Sequence, residues 1–297
     1  MKKITKAVIP CGGMGTRFLP ITKAVPKEIL PIIDTPVLGH IIDEAISSGI
    51  TEILIILGKG KEAIRQYFTP SSELEEKLRK AGNNHFADVV AKIGKGAVIT
   101  FAEQKEPKGS ADALLYAKDF VGSDAFALAY GDDLIYAQKP VIGQLIAEHE
   151  KDGKNILGVQ TINSDDITKY GVIDVGGAKP KKDTRAYPCK GIIEKPPLDK
   201  IPSRLAAMGR YILTAEVFDI IPSMPVCPKS GEYQLTDSLN HLSKIGKMTA
   251  YDFEGKRYDM GDKFGSVCAI VDYAVRDKNF GNEFKRFLKE FVNNFCI

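Results

Sequence analysis

The residues best suited to chemistry stand close to the start of the chain. The apolar run AVIP, residues 7–10, empties into CGGMGTRF, so Gly12, Gly13 and Gly15 follow a strand and Arg17 follows the glycines. Glycine is favoured where φ must be positive or where a ligand has to approach the main chain closely. Arg17, and Lys27 within AVPKEILP, add cations near the same turn. Exposed backbone N–H groups and positive side chains both favour oxyanions, so the pattern predicts a phosphate ligand. Two familiar phosphate loops are excluded. A dinucleotide fingerprint needs glycine where Phe18 stands, and no glycine–lysine pair in the chain is followed by the Ser or Thr of a Walker loop. The four histidines, His40, His85, His149 and His241, form no metal or triad pattern.

The elements around this turn alternate between strand and helix. KAVIPC reads as a strand, PVLGHIIDEAISSG as an amphipathic helix stopped at Gly49, and TEILIIL as a β-branched strand covered on both faces. Three charged helical segments follow around KGKEAIRQYF, SSELEEKLRKAG and FADVVAKIGK. Strand AVITFAE, helix ADALLYAKDF, strand AFALAY and helix VIGQLIAEHEKDG continue the series. Such repeats imply right-handed crossovers and a Rossmann-like α/β fold, an open mixed, mostly parallel sheet with helices on both faces. NILGVQ, YGVIDV, KGIIEKP and LAAMGRYIL read as less regular strands, and EYQLTDSLNHLSKIG and the segment 264–277 as helices. A last helix, NEFKRFLKEFVNNF, carries Phe284, Phe287, Leu288 and Phe291 on one face, expected to dock on the core or on another subunit. The organisation predicted is a catalytic unit over 1–277, with a nucleotide half at about 1–150 and a sugar half at about 151–277, and a helical appendage over 278–297.

Composition narrows the function. A chain of 297 residues with 44% hydrophobic and 27% charged residues can bury an ordinary globular core. Its net charge of +3 is too mild to predict nucleic acid as a partner. No apolar run approaches a membrane span, and the basic start MKKITK leads into a strand. The five cysteines, Cys11, Cys189, Cys227, Cys268 and Cys296, lack metal spacing and read as free thiols of a cytoplasmic protein.

Taken in order, the motifs resemble those of the bacterial UTP–glucose-1-phosphate uridylyltransferases, within the sugar-1-phosphate nucleotidyltransferases. The G-x-G-T-R-x-L-P pattern stands as Gly13 to Pro20 and P-K-E as Pro26-Lys27-Glu28. Gln104, YGDD at 130–133, YGVI at 170–173, IEKP at 193–196, GRYIL, GEYQLTD and GKRYDMGD complete the series. The resemblance implies the nucleotide-diphospho-sugar transferase fold, UTP and glucose 1-phosphate as substrates, Mg²⁺ as cofactor and a homodimer or homotetramer. It also implies roles. Cys11, Gly12, Gly13, Gly15, Thr16, Gln104 and Gly109 would meet the nucleotide, with Gln104 accepting from uracil N3–H and donating to O4. Arg17 and Lys27 would neutralise the triphosphate. Gly171, Glu194 and Lys195 would hold the sugar phosphate. Asp132, at the end of the strand AFALAYGD where an open sheet places its crevice, would share Mg²⁺ with Asp259, which ends a second strand-like run, TAYDFEGKRYD. Asp133 and Asp262 are neighbours that could substitute, with loop capping as their ordinary use.

One segment departs from the family. Where Leu-Gly-His-Ala is usual after Gly109, this chain reads Ser110-Ala111-Asp112-Ala113. A carboxylate replaces a histidine near the nucleotide, and Asp112 is expected to serve the start of the following helix. Thymine presents the same N3–H and O4 edge, so a sister activity with dTTP or another sugar 1-phosphate is the alternative. A non-catalytic nucleotide-sugar sensor is the alternative of another class.

Overall fold

Alternation along the first strand builds two cores at once. In Lys6–Cys11, Ala7, Ile9 and Cys11 join one apolar cluster while Val8 joins the other. Glu52–Leu57 repeats the division, with Ile53, Ile55 and Leu57 on one face and Leu54 and Ile56 on the other. Each fully buried side chain of this kind contributes roughly 1.5–3 kcal/mol. The computed structural model describes residues 2–180, 184–228 and 231–295, so Cys296 lies outside the described residues.

The central sheet follows the order Ala186–Pro188, Met248–Asp252, Asn155–Thr161, Leu205–Leu213, Phe126–Ala129, Lys6–Cys11, Glu52–Leu57 and Val98–Glu103. Along this path all but Leu205–Leu213 and Ala186–Pro188 run in one direction, giving the mixed, mostly parallel sheet expected. Helices Val37–Ser47 and Val141–Asp152 cover one face, and Ser110–Leu115 and Leu235–Lys244 the other.

Three local expectations are corrected. The segment 111–120 is not one helix but two short ones, Ser110–Leu115 and Lys118–Val121. The run from Thr249 to Asp259 is likewise two strands: Met248–Asp252 enters the central sheet, and Lys256–Asp259 forms a separate antiparallel ribbon with Asp133–Tyr136. The last helix, Gly281–Phe295, packs on Lys263–Arg276 with Phe284 and Leu288 half-buried. Phe287 and Phe291 stay 53% and 47% exposed, their rings tilted against one another, and Phe287 also stacks on Phe284.

Behind the ribbon lies a buried charge. Arg210, wholly buried within Leu205–Leu213, donates from Nε and Nη2 to the Glu44 carboxylate at 2.8–3.2 Å. Its remaining donors reach the Gly209 and Asp133 carbonyls at 3.0 and 2.8 Å. Glu44 also accepts from Ile142 N at 3.1 Å, so one ion pair joins two helices, a central strand and the start of the ribbon. Breaking a buried pair by removing one partner leaves a desolvated charge behind. Glu44→Ala is therefore expected to lower unfolding free energy by about 3–5 kcal/mol in urea titration. A change under about 1 kcal/mol would show that the pair does not hold these elements.

Candidate active site

Gly15 adopts φ 68° and heads the 3₁₀ turn Thr16–Phe18. That left-handed conformation turns the chain at the end of the first strand, and the Gly15 carbonyl accepts from Thr22 Oγ1 at 2.8 Å. Gly12 and Gly13 make room for side chains. A methyl group at Gly12 would lie 3.1 Å from Gln104 Oε1, and one at Gly13 would lie 3.2 Å from Lys27 Nζ. Around them opens a cavity of about 310 Å³, lined among others by Gly12, Gly13, Lys27, Gln104, Gly109 and Asp132. Cys11 faces the other way, into the core at 1% exposure, and burial with nearby Glu28 pushes its thiol pKa well up. Its contribution to the turn is therefore main-chain. Thr16 stands exposed at the start of the 3₁₀ turn.

Beneath the cavity the charges are paired. Lys27 Nζ donates to Asp132 Oδ2. Burial opposes the Lys27 charge, but Asp132 outweighs it and raises the pKa. The same pairing, acting against burial, holds the Asp132 carboxyl below its ordinary value. Glu28, 1% exposed, accepts from Lys61 Nζ at 2.7 Å. Burial pushes the Glu28 pKa up despite that partner. The sequence offered Glu28 as part of P-K-E without a role; its role here is to hold Lys61 under the turn.

Asp132 also lines a second cavity of about 520 Å³, with Arg17, Tyr170, Lys195, Arg257 and Asp259 among its walls. The ribbon delivers Asp259 there, because its register sets Asp259 opposite Asp133. Asp259 Oδ1 accepts from Gly261 N at 2.9 Å and Oδ2 from the Tyr170 hydroxyl at 3.3 Å. Arg257, unassigned from the sequence, donates to Asp133 Oδ1 at 2.5 Å and to the Tyr170 hydroxyl at 2.9 Å. Asp133 Oδ2 accepts from Gly209 N at 2.8 Å, so both its oxygens are engaged. Asp262 caps the helix Lys263–Arg276 by accepting from Gly265 N at 3.0 Å. Arg17 makes no ion pair among the described residues and lies against Gly261, where a methyl group would come within 2.7 Å of Nη2.

Asp132 and Asp259 thus present hard carboxylate oxygens to one cavity. Among the described residues no group of three or more His, Cys, Asp or Glu is arranged to hold a metal ion. Two carboxylates, with water and phosphate oxygens completing the shell, suit Mg²⁺.

At the rim, Gly171 and Glu194 pair across adjacent strands. Glu194 Oε2 accepts from Thr236 Oγ1 at 2.8 Å, and a methyl group at Gly171 would press on it at 3.3 Å. Lys195 follows with φ 45°, a left-handed conformation rare outside glycine. Its N–H donates to the Tyr170 carbonyl at 3.1 Å, while its side chain remains 65% exposed.

Gln104 is anchored within the protein, and Asp112 stands at the helix start as expected. Its Nε2 donates to Asp112 Oδ2 at 2.8 Å and to the Gly109 carbonyl at 3.3 Å, so the amide's donors are taken up by the protein. Asp112, in the first turn of Ser110–Leu115, spends its carboxylate on Gln104 as well as on the helix start.

A glycine turn, a half-buried lysine and two carboxylates lining one cavity mark a phosphoryl-handling enzyme, and the chain belongs to the nucleotidyl transferase family, whose model matches residues 6–272. It is 42% identical over 293 residues to the UTP–glucose-1-phosphate uridylyltransferase of Bacillus subtilis (strain 168), covering 99% of each chain. The structure of a UTP-bound UGPase from Acinetobacter baumannii superimposes with TM-score 0.88 at 30% identity, over 97% of this chain and 99% of that one. A UDP-glucose pyrophosphorylase complexed with UDP-glucose matches with TM-score 0.81 at 33% identity, over 92% of this chain and 100% of the other.

The Lys195 backbone gives a test of its own. A non-glycine residue held in the left-handed region stores roughly 1–2 kcal/mol. Lys195→Gly should raise unfolding free energy by about 1 kcal/mol while weakening the site. A destabilised variant would mean that the side chain, not the site, dictates this conformation.

Proposed function

We propose that the protein transfers the uridylyl group of UTP to glucose 1-phosphate, giving UDP-glucose and pyrophosphate. The observation that carries this reading is the position of Asp132 in the walls of both cavities. One cavity suits a nucleotide, with Gln104 at the base and Lys27 at the phosphates. The other suits a sugar phosphate, with Lys195 at its edge. A phosphate oxygen of the sugar attacks the α-phosphorus in line, a new P–O bond forms, and the bond to pyrophosphate breaks. No covalent nucleophile is needed, so positioning and charge neutralisation carry the catalysis.

Arg17 and Lys27 stabilise the departing pyrophosphate, and Lys195 and Glu194 hold the phosphate and hydroxyls of the sugar. Asp132 and Asp259 would hold Mg²⁺, which when bound neutralises charge on the reacting phosphates. The same proposal has the catalytic unit over 1–277, with 278–297 as an appendage. It has a cytoplasmic protein, supported by the free thiols of Cys11, Cys189 and Cys268, and a homodimer or homotetramer, supported by exposed Phe287 and Phe291. No described helix is long and apolar enough to cross a membrane.

The test is pyrophosphate release with Mg²⁺ and glucose 1-phosphate, comparing UTP, dTTP, ATP, CTP and GTP. UTP should be fastest; equal or faster release with dTTP would move the enzyme to the sister activity, and no release with UTP would refute the reading. Asp132→Ala should lower turnover by roughly 10²–10³-fold with the fold retained by circular dichroism. Near-normal turnover would refute its role. Arg17→Ala should weaken UTP binding, and Lys195→Ala should raise KM for glucose 1-phosphate, each about 10- to 100-fold. Identical effects of the two changes would tell against separate roles.

A further inference from the structure

We infer that Asp112 is a positioning residue that locks the Gln104 amide in one orientation and thereby selects pyrimidines carrying an N3–H over cytosine. The inference rests on the nucleotide reading above and deepens it. Gln104 is 7% exposed, and its Nε2 sits between two oxygens, Asp112 Oδ2 at 2.8 Å and the Gly109 carbonyl at 3.3 Å. Both of those oxygens are acceptors only: one belongs to a carboxylate, the other to the main chain. A rotated amide would bring Oε1 against both of them, three acceptors with no proton between them. The observed orientation is the one in which every contact is satisfied.

The lock is rigid because the segment that carries it is pinned. Gly109 adopts φ 110° and ψ 176°, a conformation open to glycine, and a methyl group there would strike the Tyr233 carbonyl at 2.4 Å. Tyr233 N donates to the Lys108 carbonyl at 2.8 Å, Ala111 N donates to the Tyr233 carbonyl at 3.1 Å, and Leu235 N donates to Ser110 Oγ at 3.1 Å. The Gly109 carbonyl and the Asp112 carboxylate are therefore set before any nucleotide arrives.

With Nε2 occupied, Oε1 is the amide atom left for the cavity, and it is the atom that lies against Gly12. A bare acceptor there receives the N3–H of uracil or thymine. It repels cytosine, whose N3 carries a lone pair. Were the amide free to rotate, Nε2 could donate to that lone pair and the distinction would weaken. Rejection of cytosine thus comes from a carboxylate that never touches the base.

The experiment compares kcat/KM for UTP and CTP in wild type, Asp112→Asn and Asp112→Ser. Asn and Ser both offer a donor as well as an acceptor, so the shorter of the two contacts then accepts either orientation of Gln104 and only the 3.3 Å contact with the Gly109 carbonyl still opposes rotation. The UTP:CTP ratio should fall by about tenfold or more in both, chiefly through a gain with CTP. A purely structural role would depress both substrates together and leave the ratio unchanged, which would overturn the inference. Two variants guard against one failing to fold, checked by thermal melting. Wild-type protein inactive with UTP would instead refute the nucleotide reading itself, so the two failures are distinguishable.

Discussion

The Arg210–Glu44 pair is the constraint on which the rest depends. A fully desolvated guanidinium persists only when its donors are met, and here they reach Glu44 and the carbonyls of Gly209 and Asp133. The Asp133 carbonyl lies one residue beyond Asp132, at the head of the ribbon that carries Asp259 on its other strand. Holding that carbonyl ties the ribbon to the core of the sheet, and with it the two carboxylates that line one cavity. The pair adds specificity of position to a core whose apolar clusters supply the bulk of the stability.

A single rule governs the charges around the site. Glu28 is met by Lys61, Lys27 by Asp132, and Asp133 by Arg257, because burial without a partner is costly. Against that background, Arg17 makes no ion pair among the described residues, and Lys195, 3.5 Å from Glu194 Oε1, keeps its side chain largely in solvent. The Lys27–Asp132 pair belongs to the ligand-free arrangement. In the reaction proposed, Lys27 would exchange Asp132 for phosphate oxygens and Asp132 would exchange Lys27 for a cation.

Much of this was legible in the sequence, for identifiable reasons. The apolar runs of KAVIPC and TEILIIL mark strands covered on both faces, and the glycines after KAVIPC mark a turn beside a ligand. Asp132 could be placed because a strand end in an open sheet is where crevices lie. The ribbon could not. DLIY is short and opens on a charged residue, and its partner KRYD follows GluGly254–255 in a run that reads as one strand. Only the long-range pairing of Asp133–Tyr136 with Lys256–Asp259 shows how Asp259 reaches Asp132. The same holds for Arg257 and Arg210, cations whose partners lie more than a hundred residues away. Asp112 was visible as a departure from its relatives, but its target, Gln104, appears only when the helix start is folded onto the glutamine.

The central claim is that Asp132 joins the two cavities and shares a cation with Asp259. The most direct measurement is a crystal structure of the protein grown with UDP-glucose and Mn²⁺, read by anomalous scattering from the metal. One metal peak is expected, bonded to carboxylate oxygens of both Asp132 and Asp259, with uracil beside Gln104 and glucose beside Glu194. Metal bound instead by Asp133 or Asp262, or a nucleotide seated away from Gln104, would contradict it.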